Sequence, residues 1–169
     1  MDISDAFDTI SHDILINRLE TQFSVCDSAR SWLRSYLSNR QQFVKLGQHS
    51  SVVTSCDSSV PQGSVLGPLL FTAYVAPVGE LIDSFGVSYH HFADDLRLFV
   101  AMDAANTTSA LDRLACCCDA VRHWFLENYL QLNADKSDVM DTFAQLKSAA
   151  AVTTVDVAGS SLPVASQIK

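Results

Sequence analysis

The chain has 169 residues, 48% hydrophobic and 18% charged, a globular composition with enough apolar material for a core. Its net charge of −8 argues against strong nucleic-acid binding through this chain alone, because phosphate contacts need Lys and Arg. No apolar run approaches a membrane span, the acidic start MDISDAFD lacks a signal-peptide pattern, and the odd set of five cysteines suits neither a disulfide framework nor a CxxC zinc pair.

Cys116, Cys117 and Cys118 are consecutive and read as small apolar residues of a helix in a reducing compartment. An intracellular protein, nuclear or cytoplasmic and not secreted, is therefore expected. Taken in order, Asp2, Asp5 and Asp8 crowd around Ile3, Ala6 and Phe7, and Asp2-Ile3 reads as the end of a strand that is otherwise missing. Asp5 and Asp8 read as a polar approach to a helix. Ser11 is the N-cap of that helix, with Ile14, Leu15 and Leu19 on one face. A second helix is predicted over 28–37, with Trp32, Leu33 and Tyr36 inward. Alternation over 42–46 and 51–56, around a turn at 47–50, predicts a strand pair.

In SVPQGSVLGPLLF, Pro61-Gln62-Gly63 is a turn and Ser64 caps a helix running to about Ile82. Val65, Leu66, Leu69, Leu70, Ala73 and Tyr74 would be buried, and Pro68 fits the first turn, where a missing N–H costs little. After a turn at 83–86 comes HHFADDLRLFV, in which Asp94 and Asp95 sit between two short strands. Asp tolerates turn dihedrals, so the pair suits a tight hairpin tip. Adjacent carboxylates repel, and are most stable in water or on a hard divalent cation. His90 and His91 are poor Mg²⁺ ligands beside oxygen and read as strand residues.

The strongest helix runs over 106–128, with Leu111, Leu114, Ala115, Cys118, Val121 and Phe125 at three-and-four spacing. Trp124 and Tyr129 read as packing residues. A short segment at 131–133 precedes Asp135 and Lys136. A strand is expected over 139–143, residues 144–151 are ambiguous, and 152–157 with 162–168 read as a hairpin around Gly159-Ser160-Ser161. Both ends look cut. Asp2, Asp94 and Asp95 all lie near strand ends, and an α+β sheet with helices on one face could gather them to hold two ions for phosphoryl transfer.

These blocks, in this order, resemble the palm of a reverse transcriptase, most closely those of LINE-type non-LTR retrotransposons. DISDAFDTISHDIL is similar to motif A, SYLSNRQQFV to the segment before motif B, and VPQGSVLGPLLF to motif B. FADDLRLF resembles motif C, WFLENYLQLNADKSDVM motif D, and VAGSSLPVASQIK the lead-in to motif E. The resemblance covers nearly the whole chain. It implies one palm domain over 1–169, an antiparallel sheet with helices on one face and a ferredoxin- or RRM-like core, truncated so that fingers and thumb are missing.

The implied activity is RNA-directed DNA polymerisation with two Mg²⁺ or Mn²⁺ ions, an RNA template, a DNA primer and deoxynucleoside triphosphates, away from membranes. Asp2 and Asp94 match the main metal-binding acids, Asp95 the neighbouring one, and the Ile3 carbonyl a further metal ligand. Phe7 matches the sugar gate against a 2′-hydroxyl, Gln62 and Gly63 the loop that meets nucleotide and template, and Lys136 the proton donor to pyrophosphate. Two alternatives stay open. A group II intron reverse transcriptase shares much of motif A, although LGPLLF favours the retrotransposon type. The missing fingers and thumb also suit an inactive remnant.

Overall fold

The computed structural model describes residues 1–102, 106–133, 136–140, 154–157 and 159–165. They divide into two units, one of Met1–Ser4 with Ala76–Lys169 and one of Asp5–Val75. Strand β1 (Asp2–Ser4) opens the first unit. The second holds α1 (His12–Phe23), α2 (Asp27–Leu37), β2 (Arg40–Gln42), β3 (Lys45–Leu46), β4 (His49–Ser50), β5 (Thr54–Cys56) and α3 (Gly67–Val75). The chain then returns to the first unit with α4 (Pro77–Ser84), β6 (Ser88–Phe92), β7 (Asp95–Phe99), α5 (Thr107–Glu127), β8 (Gln131–Asn133), β9 (Val139–Met140), β10 (Thr154–Val157) and β11 (Ser160–Ala165).

In the Asp5–Val75 unit, α1 packs on α2 and α3. Leu15, Ile16 and Leu19 of α1, Leu37 of α2 and Leu70, Phe71 and Tyr74 of α3 are buried, with Ile10 and Val60. Arg18 lies 4.8 Å over the Tyr74 ring and donates to the Tyr74 carbonyl, so its charge is held at the edge of this core. Ser11 occupies the expected N-cap, but its hydroxyl makes no capping bond. The expected strand pair forms as two antiparallel ladders, β2 with β5 and β3 with β4, around the turn at Gly47. Phe43, Val44, Leu46, Val52 and Val53 all stand exposed on it.

Three expectations are corrected in this part of the chain. Trp32 is 57% exposed and stacks on Tyr36, ring centroids 5.6 Å apart; these residues are i and i+4 on a face of α2 that the core does not cover. Val65 and Leu69 are exposed. Leu69 points away because Gly67, Leu70, Phe71 and Tyr74 define the inward stripe of α3, and Val65 precedes the helix. The helix expected from Ser64 to Ile82 starts at Gly67 and divides at Ala76. Ser64 does cap it, since its hydroxyl accepts the Gly67 N–H at 2.9 Å. Pro77 causes the division, because it lacks the N–H that would continue the ladder.

In the other unit, β6 and β7 form an antiparallel hairpin from Ser88↔Phe99 to Phe92↔Asp95. β1 pairs antiparallel with β8, Asp2 opposite Asn133. The two ladders are joined at Met1, whose nitrogen donates to the Leu96 carbonyl at 2.8 Å while Leu96 N–H donates to the Met1 carbonyl at 3.0 Å. The strands therefore run β8, β1, β7, β6 across the unit. Ile3, Leu96 and Leu132 are buried on one face, and Leu98 is packed there with Met1. Helix α5 buries Cys118, Val121 and Phe125, as its spacing predicted, but it also buries Ala110 and Cys117, while the expected Leu111, Leu114 and Ala115 are only partly buried. Cys118 and Val155 anchor a cluster with Met1, Leu98, Leu111, Leu114, Val139, Leu162 and Val164. Helix α4 contacts α5 and β6; its Gly79 lies so close to the Tyr89 phenol that a Cβ there would overlap it.

Trp124 is partly buried, its ring edge-on to Phe125, whereas Tyr129 is exposed beyond the end of α5 at φ +57°, which turns its ring from the core. The expected last hairpin is present as β10 with β11, and β9 joins β11 in parallel. Residues 141–143 of the expected strand, the stretch 144–151, Asp135, and residues 152–153 and 166–168 of the hairpin lie outside the described residues. Among the described residues no helix is long and apolar enough to cross a membrane.

Two measurements follow from this packing. All five thiols are free, and burial pushes Cys117 up to about 11 and Cys118 up to about 12, whereas Cys26 and Cys116 are exposed. Iodoacetamide at mildly alkaline pH should modify Cys26 and Cys116 first and leave Cys117 and Cys118 until the chain unfolds, as read by peptide mass. His91 faces inward opposite Leu96, and its buried Nε2 has no hydrogen-bond partner among the described residues. Burial lowers its pKa below the usual 6.5, against the opposing pull of the Ala93 backbone and of Asp95 and Asp94. The unfolded chain then binds the proton more readily, so stability present above pH 6.5 falls as pH drops through that value towards the folded pKa. In urea titrations His91→Leu should lose less stability over that range than the parent; equal losses would clear His91 as the source.

Candidate active site

The reciprocal Met1–Leu96 bonds fix the register of β1 on β7. Asp2 consequently stands opposite Asp95 as the next, non-hydrogen-bonded pair, where Cα atoms are typically about 4.5 Å apart. Alternation puts both carboxylates on the face away from Ile3 and Leu96. It also turns the Ile3 carbonyl to the same edge of β1 as that of Met1, towards the Ala93-Asp94 turn. Asp94 is the second of the two residues joining Phe92 to Asp95. The first, Ala93, takes the left-handed position at φ +52°. An Asp was expected to carry the turn; an alanine does, at a strain of roughly 1–2 kcal/mol.

Asp95 is engaged by Arg97, whose Nε and Nη2 both donate to Oδ2, at 3.0 and 2.8 Å. Arg97 was not singled out from the sequence. The signal was there, since residues i and i+2 of a strand share a face and an acid followed by a base at that spacing can pair. Beside the acids, β8 brings Asn133 opposite Asp2. Among the described residues no three His, Cys, Asp or Glu side chains are grouped closely enough to hold a metal ion. What the fold brings together is the pair Asp2 and Asp95, with Asp94 adjacent at the tip. These are hard oxygen donors, the chemistry that Mg²⁺ and Mn²⁺ select.

Lys136 is exposed in the same unit, three residues beyond Asn133. Its neighbour Ser137 is buried and donates to the Asn133 carbonyl at 2.7 Å, which ties the segment to the end of β8. The remaining candidates belong to the Asp5–Val75 unit. Phe7 is half-buried against Phe71, ring centroids 5.0 Å apart, and its carbonyl accepts the Val60 N–H at 2.8 Å. Gln62 and Gly63 are exposed at a turn where Gly63 has φ +79°. Ser64 N–H and hydroxyl both donate to the Pro61 carbonyl, and a Cβ on Gly67 would come within 2.8 Å of that oxygen, so this turn is held closely on the start of α3.

Comparison with known proteins bears on what these residues are. The family model described as "Reverse transcriptase (RNA-dependent DNA polymerase)" matches residues 1–159. The chain is 32% identical over 130 residues to a probable RNA-directed DNA polymerase from transposon BS of Drosophila melanogaster, covering 77% of this chain and 13% of that protein. It is 28% identical over 143 residues to the RNA-directed DNA polymerase from mobile element jockey of the same species, and 27% over 141 residues to that of Drosophila funebris. Those matches each cover 80% of this chain and 15% of the relative, so the chain spans roughly a seventh of the curated relatives it matches. By the match over residues 1–159, this chain belongs to the reverse transcriptase family.

Proposed function

We propose that this chain is the palm of an RNA-directed DNA polymerase from a LINE-type non-LTR retrotransposon, acting inside the cell. The observation that carries the reading is the register of Asp2 beside Asp95 at the Asp94 tip. The order β8, β1, β7, β6, with α4 and α5 between strands, supports a ferredoxin-like βαββαβ core for that palm. In the longer protein the substrates are an RNA template, a DNA primer and deoxynucleoside triphosphates.

Asp2, Asp94 and Asp95, with the Ile3 carbonyl, are the residues that would hold two Mg²⁺ or Mn²⁺ ions. When bound, such ions neutralise charge on the transferring phosphate and favour the attacking hydroxylate. The acids contribute negative charge on the open face of a sheet whose other face is packed. The Phe7 ring, braced by Phe71, excludes a 2′-hydroxyl. Gln62 and Gly63 present polar side chain and backbone to nucleotide and template. Lys136 gives a proton from Nζ to the leaving pyrophosphate.

The net charge of −8 favours a second statement, that this piece does not polymerise by itself. Template, primer and triphosphate need clamps, and orientation accounts for about 7–11 kcal/mol of such barriers. The 169-residue chain should give no detectable primer extension on an RNA template. A longer protein with fingers and thumb should extend the primer, and Asp94→Asn there should lower the rate by at least about a hundredfold. Activity of the longer protein that survives Asp94→Asn would refute the assignment. In the same protein Phe7→Ala should reduce preference for deoxynucleotides over ribonucleotides by roughly 10- to 100-fold. An unchanged incorporation ratio would leave Phe7 as a residue that only packs against Phe71 of α3.

A further inference from the structure

Arg97 sits two residues after Asp95 on the same face of β7, and spends two of its N–H groups on a single oxygen of that carboxylate. The pair is open to water, with 62% of the Arg97 side chain and 46% of that of Asp95 exposed. An ion pair this exposed adds little to stability, at most about 1 kcal/mol. Its repulsion of a second cation scales with that ion's charge, so a divalent ion meets twice what a monovalent one would. Asp95 has Asp2 opposite it on β1 and Phe92 opposite it on β6, while Arg97 has His90 opposite it. Arg97 is thus the permanent positive charge beside the acids on this hairpin.

We infer that Arg97 is a tethered counter-cation: it occupies Asp95 when no divalent ion is bound and must be displaced for that carboxylate to take part in metal binding. It is a positioning residue, acting through Asp95. This rests on the proposal that Asp2, Asp94 and Asp95 hold Mg²⁺ or Mn²⁺. The consequence is that the acids bind a free ion weakly, because a divalent charge must approach a guanidinium already hydrogen-bonded to one of its ligands. Removing the guanidinium removes both the repulsion and the competition.

The test is Mn²⁺ binding to the 169-residue chain, read by the paramagnetic resonance signal of free Mn²⁺. Arg97→Gln should bind Mn²⁺ roughly three- to tenfold more tightly than the parent at moderate salt. Arg97→Lys keeps the charge and should bind nearly as weakly as the parent. In an Asp95→Asn background the Arg97→Gln gain should shrink, because the held carboxylate is gone. Binding no tighter in Arg97→Gln overturns the inference. So does a gain of equal size with and without Asp95, which would make Arg97 a distant charge only. If Arg97→Gln has no effect but Asp94→Asn weakens Mn²⁺ binding, the metal-site proposal stands without it. If Asp94→Asn leaves the parent's Mn²⁺ binding unchanged, the ion is not held by these acids and both fall.

Discussion

The arrangement of the acids depends on one pair of backbone hydrogen bonds, exchanged between Met1 and Leu96. Side chains alternate along a strand, so the register of β1 on β7 decides which residues share a face. A slip by one residue would turn Asp2 into the apolar layer beside Leu96 and bring Ile3 out. The apolar layer defends the register. Ile3, Leu96 and Leu132 are buried together, and Met1 and Leu98 pack against Cys118 of α5. The positions of charged groups on one face are therefore set by the packing of uncharged ones on the other. The same logic covers β8, which puts Asn133 next to Asp2 by pairing Leu132 with Ile3.

Much of this was legible in the chain. The Phe92–Asp95 hairpin and α5 follow from strand-like and helical periodicity, and their order, with the motif blocks, was enough to place the family. What was not legible depended on tertiary context or on a residue that was passed over. Trp32 looks like core by composition, but whether the helix face that carries it is covered depends on where α1 and α3 lie. Pro77 was readable as a break and would have divided the long helix at Ala76. The left-handed Ala93 was hidden because a tight turn usually gives that position to Gly, Asn or Asp, and the neighbouring Asp94 was the obvious occupant. A grouping of all three acids was expected; the fold supplies an opposed pair and a neighbour, with an arginine already on one of them.

The turn and the register address different needs of a charged site. Alternation can place Asp2 and Asp95 on one face, but Asp94 precedes a strand residue and would point the other way if the strand continued. A two-residue connection frees it from that alternation. The strain at Ala93 is small beside the energy of a folded domain, and it falls where the backbone must reverse so that two consecutive carboxylates can stay near one edge.

The hairpin arm between Arg40 and Cys56 has a different consequence. Its ladders are two strands wide, and Leu46 on one of them, with Phe43, Val44, Val52 and Val53 between them, is exposed to water. A narrow ladder with open edges and apolar side chains is a template for another strand. Lys45, Arg40 and His49 interrupt it with charge or polarity but do not break its continuity. Colloidal behaviour of this chain is thus governed locally. The acidic balance keeps copies apart at long range, and at contact distance this arm is where edge-to-edge pairing would begin.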